Sequence, residues 1–205
     1  VVKICVVSNG SYGTALAKVL CDNSHDVTLW GRDHKYIAEM QKTRVNSRYL
    51  KGLTLPENLK LSSDLAKSAS AAELILLATP TQYMRSSLEQ IAALNLQNPL
   101  LVNVAKGIEV KSLKRISEIT QEILGDNHRY VMLAGPSHAE EVMLNLPTAV
   151  VAASKNEEDA AVVQKTFMKE YFRVYSSDDV TGVELGGALK NIFAIAAGII
   201  DGMGF

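Results

Sequence analysis

Val1-Val2-Lys3-Ile4-Cys5-Val6-Val7-Ser8-Asn9-Gly10-Ser11-Tyr12-Gly13-Thr14-Ala15-Leu16-Ala17 opens the chain with an apolar strand, a glycine turn and an apolar helix in immediate succession. That succession is the local build of a dinucleotide site. Gly10 lets backbone approach a pyrophosphate, Gly13 lets helix and strand pack closely, and the free N–H groups of the first helical turn point at the anion. Ser8 stands where the usual G-x-G-x-x-G motif has its first glycine, and a lone glycine turn also serves simply to join strand to helix.

Similar apolar runs recur at 4–7, 27–30, 74–78, 100–104, 130–133 and 149–153, with helix-period segments between most of them. This βαβ rhythm predicts a mostly parallel sheet. Continuous apolarity, as in Leu74-Ile75-Leu76-Leu77-Ala78, fits strands covered on both faces, so the expected class is a doubly wound α/β fold. Residues 41–61 break the rhythm and read as an inserted loop with a short helix or strand. The turn Ser176-Ser177-Asp178-Asp179 is suited to cap a helix from about 180 to 200, whose glycines and alanines permit close packing. These features divide the chain into a dinucleotide-binding domain over 1–178 and the start of an incomplete helical domain over 179–205.

The 205 residues are 47% hydrophobic, enough for a sizeable core, and the formal net charge of −1 gives no basic excess for nucleic acid or an anionic membrane. The opening strand lacks the features of a signal peptide and the apolar runs read as too short to span a bilayer, so cytoplasm is the expected compartment and no stable membrane insertion is expected. Cys5 and Cys21 have neither metal-site nor redox spacing, and no metal site is expected.

Four further segments lie where chemistry is expected: Ala78-Thr79-Pro80-Thr81, Asn103-Val104-Ala105-Lys106-Gly107-Ile108-Glu109, Gly135-Pro136-Ser137-His138-Ala139-Glu140-Glu141 and Ala188-Leu189-Lys190-Asn191-Ile192. The first three follow the carboxyl ends of strands, the edge where open α/β sheets bind ligands. Taken singly, each also reads as a helix start, a solvated turn, a capped turn or a wet helix edge.

Taken in order, the glycine turn, Lys106-Gly107-Ile108-Glu109, Gly135-Pro136-Ser137 with Ala139, and Ala188-Leu189-Lys190-Asn191 resemble the NAD(P)-dependent glycerol-3-phosphate dehydrogenase family over the whole chain. Ser8 and His138 depart from the family pattern. The resemblance implies a Rossmann-like domain followed by a helical substrate domain that continues further in the family. It also implies NAD or NADP as cofactor and interconversion of dihydroxyacetone phosphate and sn-glycerol 3-phosphate, feeding glycerophospholipid synthesis. Lys190 is implied as the proton donor, its pKa lowered by Lys106 and by desolvation. The resemblance further implies that Lys106 orients substrate and borders the cofactor, that Asn191 holds a substrate oxygen, and that Gly135 and Ser137 bind the polyol end. Gly10, Ser11, Tyr12 and Gly13 are implied at the pyrophosphate and Ala139 beside the cofactor, although Tyr12 reads equally as core. Arg32 suits a 2′-phosphate or adenine, Asp33 a ribose, and the sequence leaves NAD against NADP open. Another two-domain hydroxy-acid or sugar-acid dehydrogenase, and a non-catalytic dinucleotide module, are the alternatives; a homodimer is an assembly left open. A Ser137–His138 hydrolase is disfavoured, because no G-x-S-x-G elbow accompanies the pair and adjacent residues lack nucleophile–base geometry.

Overall fold

In the computed structural model, which describes residues 1–204, one sheet is built from eight strands. They are β1 (Lys3–Val7), β2 (Asp26–Trp30), β3 (Lys60–Ser62), β4 (Leu74–Leu77), β5 (Leu100–Asn103), β6 (Arg129–Ala134), β7 (Thr148–Ala153) and β8 (Phe172–Ser177). Their spatial order is β3-β2-β1-β4-β5-β6-β7-β8, parallel throughout except between β6 and β7. The chain order reverses between β1 and β4, which opens a crevice beyond their carboxyl ends.

Side chains alternate across β1 into two cores. Ile4 and Val6 join one with α1 (Ser11–Asp22), α2 (His34–Thr43), α6 (Ala139–Met143) and α7 (Glu157–Phe167). Cys5 and Val7 join the other with α3 (Leu65–Ala69), α4 (Met84–Ala92) and α5 (Ile116–Leu124). Both faces are therefore apolar, as the uninterrupted runs require, and each buried aliphatic side chain contributes about 1.5–3 kcal/mol. Burial pushes both cysteine thiols up to about 12, which keeps them protonated and inert.

Residues 41–61 fold back across the β1–α1 turn and lead into β3, a three-residue edge strand on β2. β8 adds a strand beyond the six apolar runs; it alternates buried and exposed residues over Phe172–Tyr175 and so escapes a reading based on continuous apolarity. The antiparallel entry of β7 is likewise invisible in its composition.

α8 (Val180–Gly202) begins where the polar turn predicts, with the Asp179 carboxylate accepting from the Gly182 N–H at 2.7 Å. Its length corrects one expectation. At 23 residues and a mean hydropathy of 1.5 over its best window, α8 is long and apolar enough to cross a membrane by length and composition alone. The isolated Lys190 does not lower an 18-residue mean sufficiently to interrupt it. Val180 and Glu184 are its buried residues, whereas Ile192, Phe193, Ile195 and Ile199 are 57–69% exposed.

Candidate functional site

Ser8 leaves β1 at φ +101°, a conformation that favours glycine, so the serine keeps the turn at the cost of local strain. Gly13 has no freedom to vary: a Cβ there would lie 2.6 Å from the Ser8 carbonyl oxygen and 2.8 Å from the Ala78 methyl. Gly10 is the opposite case, its Cβ direction open except for Ser8 Oγ at 3.8 Å. It precedes α1 with no side-chain cap, so the first-turn N–H groups of Ser11, Tyr12 and Gly13 are available to an anion. The turn is braced from below by the fully buried Asn46, whose amide donates to the Asn9 carbonyl and to Thr14 Oγ1, both at 2.8 Å. Tyr36 donates to Asn46 Oδ1 at 2.6 Å.

A cleft of about 410 Å³ opens above the turn, bordered by Ser8, Gly10, Trp30, Arg32, Thr79 and Tyr83. Trp30 Nε1 is buried there with no partner among the described residues, a donor awaiting an acceptor. Asp33 is already committed: one carboxylate oxygen caps α2 at the Tyr36 N–H (3.0 Å) and the other pairs with Arg48 (2.8 Å). Arg48 in turn stacks 3.8 Å over the Tyr36 ring. Arg32 borders the cleft with no such engagement among the described residues. An open glycine, an uncapped helix start, an orphaned indole N–H and a free guanidinium fit the phosphates and adenosine of a dinucleotide.

Further along the same sheet edge, Lys106 follows β5 and donates to the Gly135 carbonyl at 2.9 Å. Its Nζ lies 5.3 Å from the centre of the Tyr12 ring. The Tyr12 hydroxyl meets Ser137 Oγ at 2.7 Å, and burial pushes that phenol up to about 12, so it stays neutral. Gly107 turns at φ +156° and a Cβ there would strike Thr81 Oγ1 at 2.7 Å. Gly135 is required by the sheet, since a Cβ would lie 2.5 Å from the Ala149 carbonyl oxygen. α8 closes this end: a Cβ at Gly187 would be 3.5 Å from Lys106 Cγ, and Lys190 follows one turn later. Burial first, and then the positive charge of Lys190, draw the Lys106 amine below its ordinary range. The depressed amine is thus Lys106.

The structure therefore brings Tyr12, Lys106, Gly135, Ser137 and the Lys190 turn of α8 together, with Gly10, Ser11 and Gly13 adjacent through α1. Ala139 is 7% exposed and belongs to the core between α6 and α1. Asn191 is exposed on α8 beside Lys190. His138 precedes α6, and the polar contacts of Ser137 Oγ run to Tyr12 and Gly135, so no serine–histidine pair forms. Sequence reading missed Asn46 and the carboxylate of Glu184; the break in rhythm over 41–61 was the one available signal for the first.

Residues 3–160 match the family described as "NAD-dependent glycerol-3-phosphate dehydrogenase N-terminus", and 179–205 match its C-terminus counterpart. The chain is 48% identical over 205 residues to a glycerol-3-phosphate dehydrogenase [NAD(P)+] of Lysinibacillus sphaericus, covering 99% of this chain and 61% of that protein. It is 43% identical to the enzyme of the same name from Syntrophomonas wolfei, covering 99% and 60%. The crystal structure of glycerol-3-phosphate dehydrogenase from Coxiella burnetii superposes with a TM-score of 0.89 at 37% identity, covering 97% of this chain and 61% of that one. The chain thus spans about three-fifths of the length of the relatives it matches.

Proposed function

The chain belongs to the NAD-dependent glycerol-3-phosphate dehydrogenase family, and from that premise we propose that it carries the cofactor half and the first catalytic helix of an enzyme interconverting dihydroxyacetone phosphate and sn-glycerol 3-phosphate. When bound, the dinucleotide would supply the hydride to the carbonyl carbon, or in the reverse direction take it from the alcohol carbon. Lys190 gives its ammonium proton to the carbonyl oxygen during reduction, and takes one back in the reverse direction. Lys106 holds that oxygen and steadies its developing charge, fixed meanwhile by the Gly135 carbonyl. Asn191 and Ser137 orient the substrate hydroxyls. Residues 1–178 form the cofactor domain in this reading, and 179–205 begin the helical one.

At the other end, Gly10, Ser11, Tyr12 and Gly13 take the pyrophosphate, while Ala139 keeps α6 close to α1. The engagement of Asp33 by the α2 cap and Arg48 supports Arg32 as the group facing a 2′-phosphate, and hence NADP use alongside NAD. The reaction fits a cytoplasmic enzyme supplying glycerophospholipid precursors, without a nucleic-acid partner. Glu184 is bonded into the sheet through Tyr130 and the charge of Lys190 is felt by Lys106, which supports protein rather than lipid as the cover of α8. That cover comes from further helical domain or from a second subunit in a homodimer.

The observation that carries this reading is the meeting of Lys106, the Gly135 carbonyl and the Lys190 turn of α8 beside the glycine loop. The test is to incubate the protein with NADH or NADPH and dihydroxyacetone phosphate and follow nicotinamide absorbance. Oxidation with formation of glycerol 3-phosphate is expected. Absence of turnover by the full chain as its gene encodes it, with dinucleotide bound, would overturn it.

A further inference from the structure

Glu184 carries a charge into the protein interior at the start of α8, its side chain only 4% exposed. Its Oε1 accepts from the Tyr130 hydroxyl at 2.8 Å and the Ser117 backbone N–H at 2.9 Å. Its Oε2 accepts from Ser117 Oγ at 2.6 Å and Arg115 Nη1 at 2.9 Å. The connection continues through the sheet. The buried Tyr130 oxygen accepts from Asn103 Nδ2 at 3.1 Å, and Asn103 Oδ1 accepts from the Ala105 N–H at 2.9 Å, one residue before Lys106. Lys106 then returns to α8 against Gly187, one turn beyond Glu184. The path is a closed ring of contacts from α8 through β6 and β5 to the Lys106 loop and back.

Packing alone does not call for such a ring. A buried ion pair yields little net stability over apolar side chains of similar volume, because desolvation offsets the attraction. What a satisfied buried network supplies is one arrangement out of many near-equivalent ones. Beyond Glu184 the residues of α8 are all at least partly exposed, so its rotation is fixed only by its first turns, where Val180 and Val183 meet the core, Thr181 accepts from Arg115 and Glu184 enters the ring. Tyr130 suits the task, since burial and the neighbouring carboxylate hold its phenol well above the ordinary range and keep it a donor.

We propose that Glu184, acting through Tyr130 and Asn103, is a positioning residue that sets Lys190 of α8 against Lys106. The proposal rests on the reading of those two lysines given above. It assigns Glu184 no contact with substrate or cofactor.

A double-mutant cycle in the full chain as its gene encodes it tests the proposal. Tyr130→Phe keeps the ring and removes the hydroxyl that joins Glu184 to Asn103; Glu184→Gln keeps the shape and removes the charge. Each is expected to lower kcat about ten- to a hundredfold, as a misplaced reacting group does, while KM for the dinucleotide stays within about twofold. In a Lys190→Ala background the same changes should cost no more than about a further twofold. Fully additive losses in that background, or an unchanged kcat in Tyr130→Phe, would overturn the proposal. If Glu184→Gln does not fold, Tyr130→Phe carries the cycle.

A second readout needs no turnover. A short amine-reactive cross-linker should join Lys106 to Lys190 in the parent, and peptide mass spectrometry should find that product reduced several-fold in Tyr130→Phe while other lysine cross-links hold. An undiminished product refutes the positioning role. A parent without turnover whose cross-link the variant still loses would overturn the proposed reaction and leave the positioning role standing.

Discussion

At the β1–α1 turn a serine holds a backbone conformation that suits glycine, whereas along α8 three glycines, Gly186, Gly198 and Gly202, occupy open helical positions that other residues would serve as well. Ser8 sits at φ +101°, and its carbonyl would collide with any Cβ at Gly13. Gly186, Gly198 and Gly202 meet nothing within 4 Å. The same residue type thus has two causes. In the turn it answers contacts made by this chain's own sheet and loops, so the cofactor end is mechanically complete. At Gly186, Gly198 and Gly202 it answers no contact among the described residues, and the helix is held by its buried first turns. The chemistry proposed for the α8 end consequently depends on orientation more than on packing density.

The sharpest way to break this contrast is Lys190→Ala in the full chain. Turnover should fall roughly 10²–10⁴-fold with dinucleotide affinity nearly unchanged, by steady-state kinetics and calorimetry. Parent-like turnover would reduce α8 to scaffolding. Next comes Gly13→Ala, which forces a methyl against the Ser8 carbonyl. It should destabilise by about 1–3 kcal/mol in denaturant unfolding and weaken both dinucleotides alike. A neutral result would mean the turn is less rigid than its contacts imply.

Arg32→Ala should weaken NADPH more than NADH by up to about 1.5–3 kcal/mol, less whatever solvent and salt screen. Equal losses would make Arg32 an adenine platform instead. Ser8→Gly should stabilise by about 1 kcal/mol, because relief of the strained φ exceeds the added freedom of glycine in the unfolded chain. A loss of stability would show that the Ser8 side chain contributes more than its backbone costs. The smallest effect belongs to Gly198→Ala, where helix propensity on an open surface should add about 0.8–1 kcal/mol to the stability of the described residues. A destabilised variant would reveal a neighbour at that surface.

The sheet was legible wherever strands are buried on both faces, as at Leu74–Leu77, because continuous apolarity leaves few other readings. It was not legible at β3, three residues held by β2, or at β8, where alternate residues face outward. The reversed direction of β7 depends on where the chain re-enters the sheet, which composition does not encode. At the candidate site, Lys106 and Lys190 stand out in the sequence because short motifs surround them, and the fold brings the Lys190 turn beside Lys106. Asn46 and Glu184 could not, since their partners lie 10–37 and 54–69 residues away and a lone polar residue gives no sign of burial. The membrane-length reading of α8 failed for a related reason: a single lysine looks decisive in a string of letters but is averaged away over a full helix.

Trp30 is the single tryptophan of the chain, and its indole N–H is buried at the edge of the candidate dinucleotide cleft without an acceptor among the described residues. Its emission therefore reports on one place in the molecule. Indole emits where a reduced nicotinamide absorbs, so a filled cleft should dim the tryptophan and light the cofactor by energy transfer. An oxidised dinucleotide, lacking that absorption, leaves only the change of hydrogen bonding to register. With a dinucleotide in the proposed place, this one side chain would distinguish the redox state of what the cleft holds.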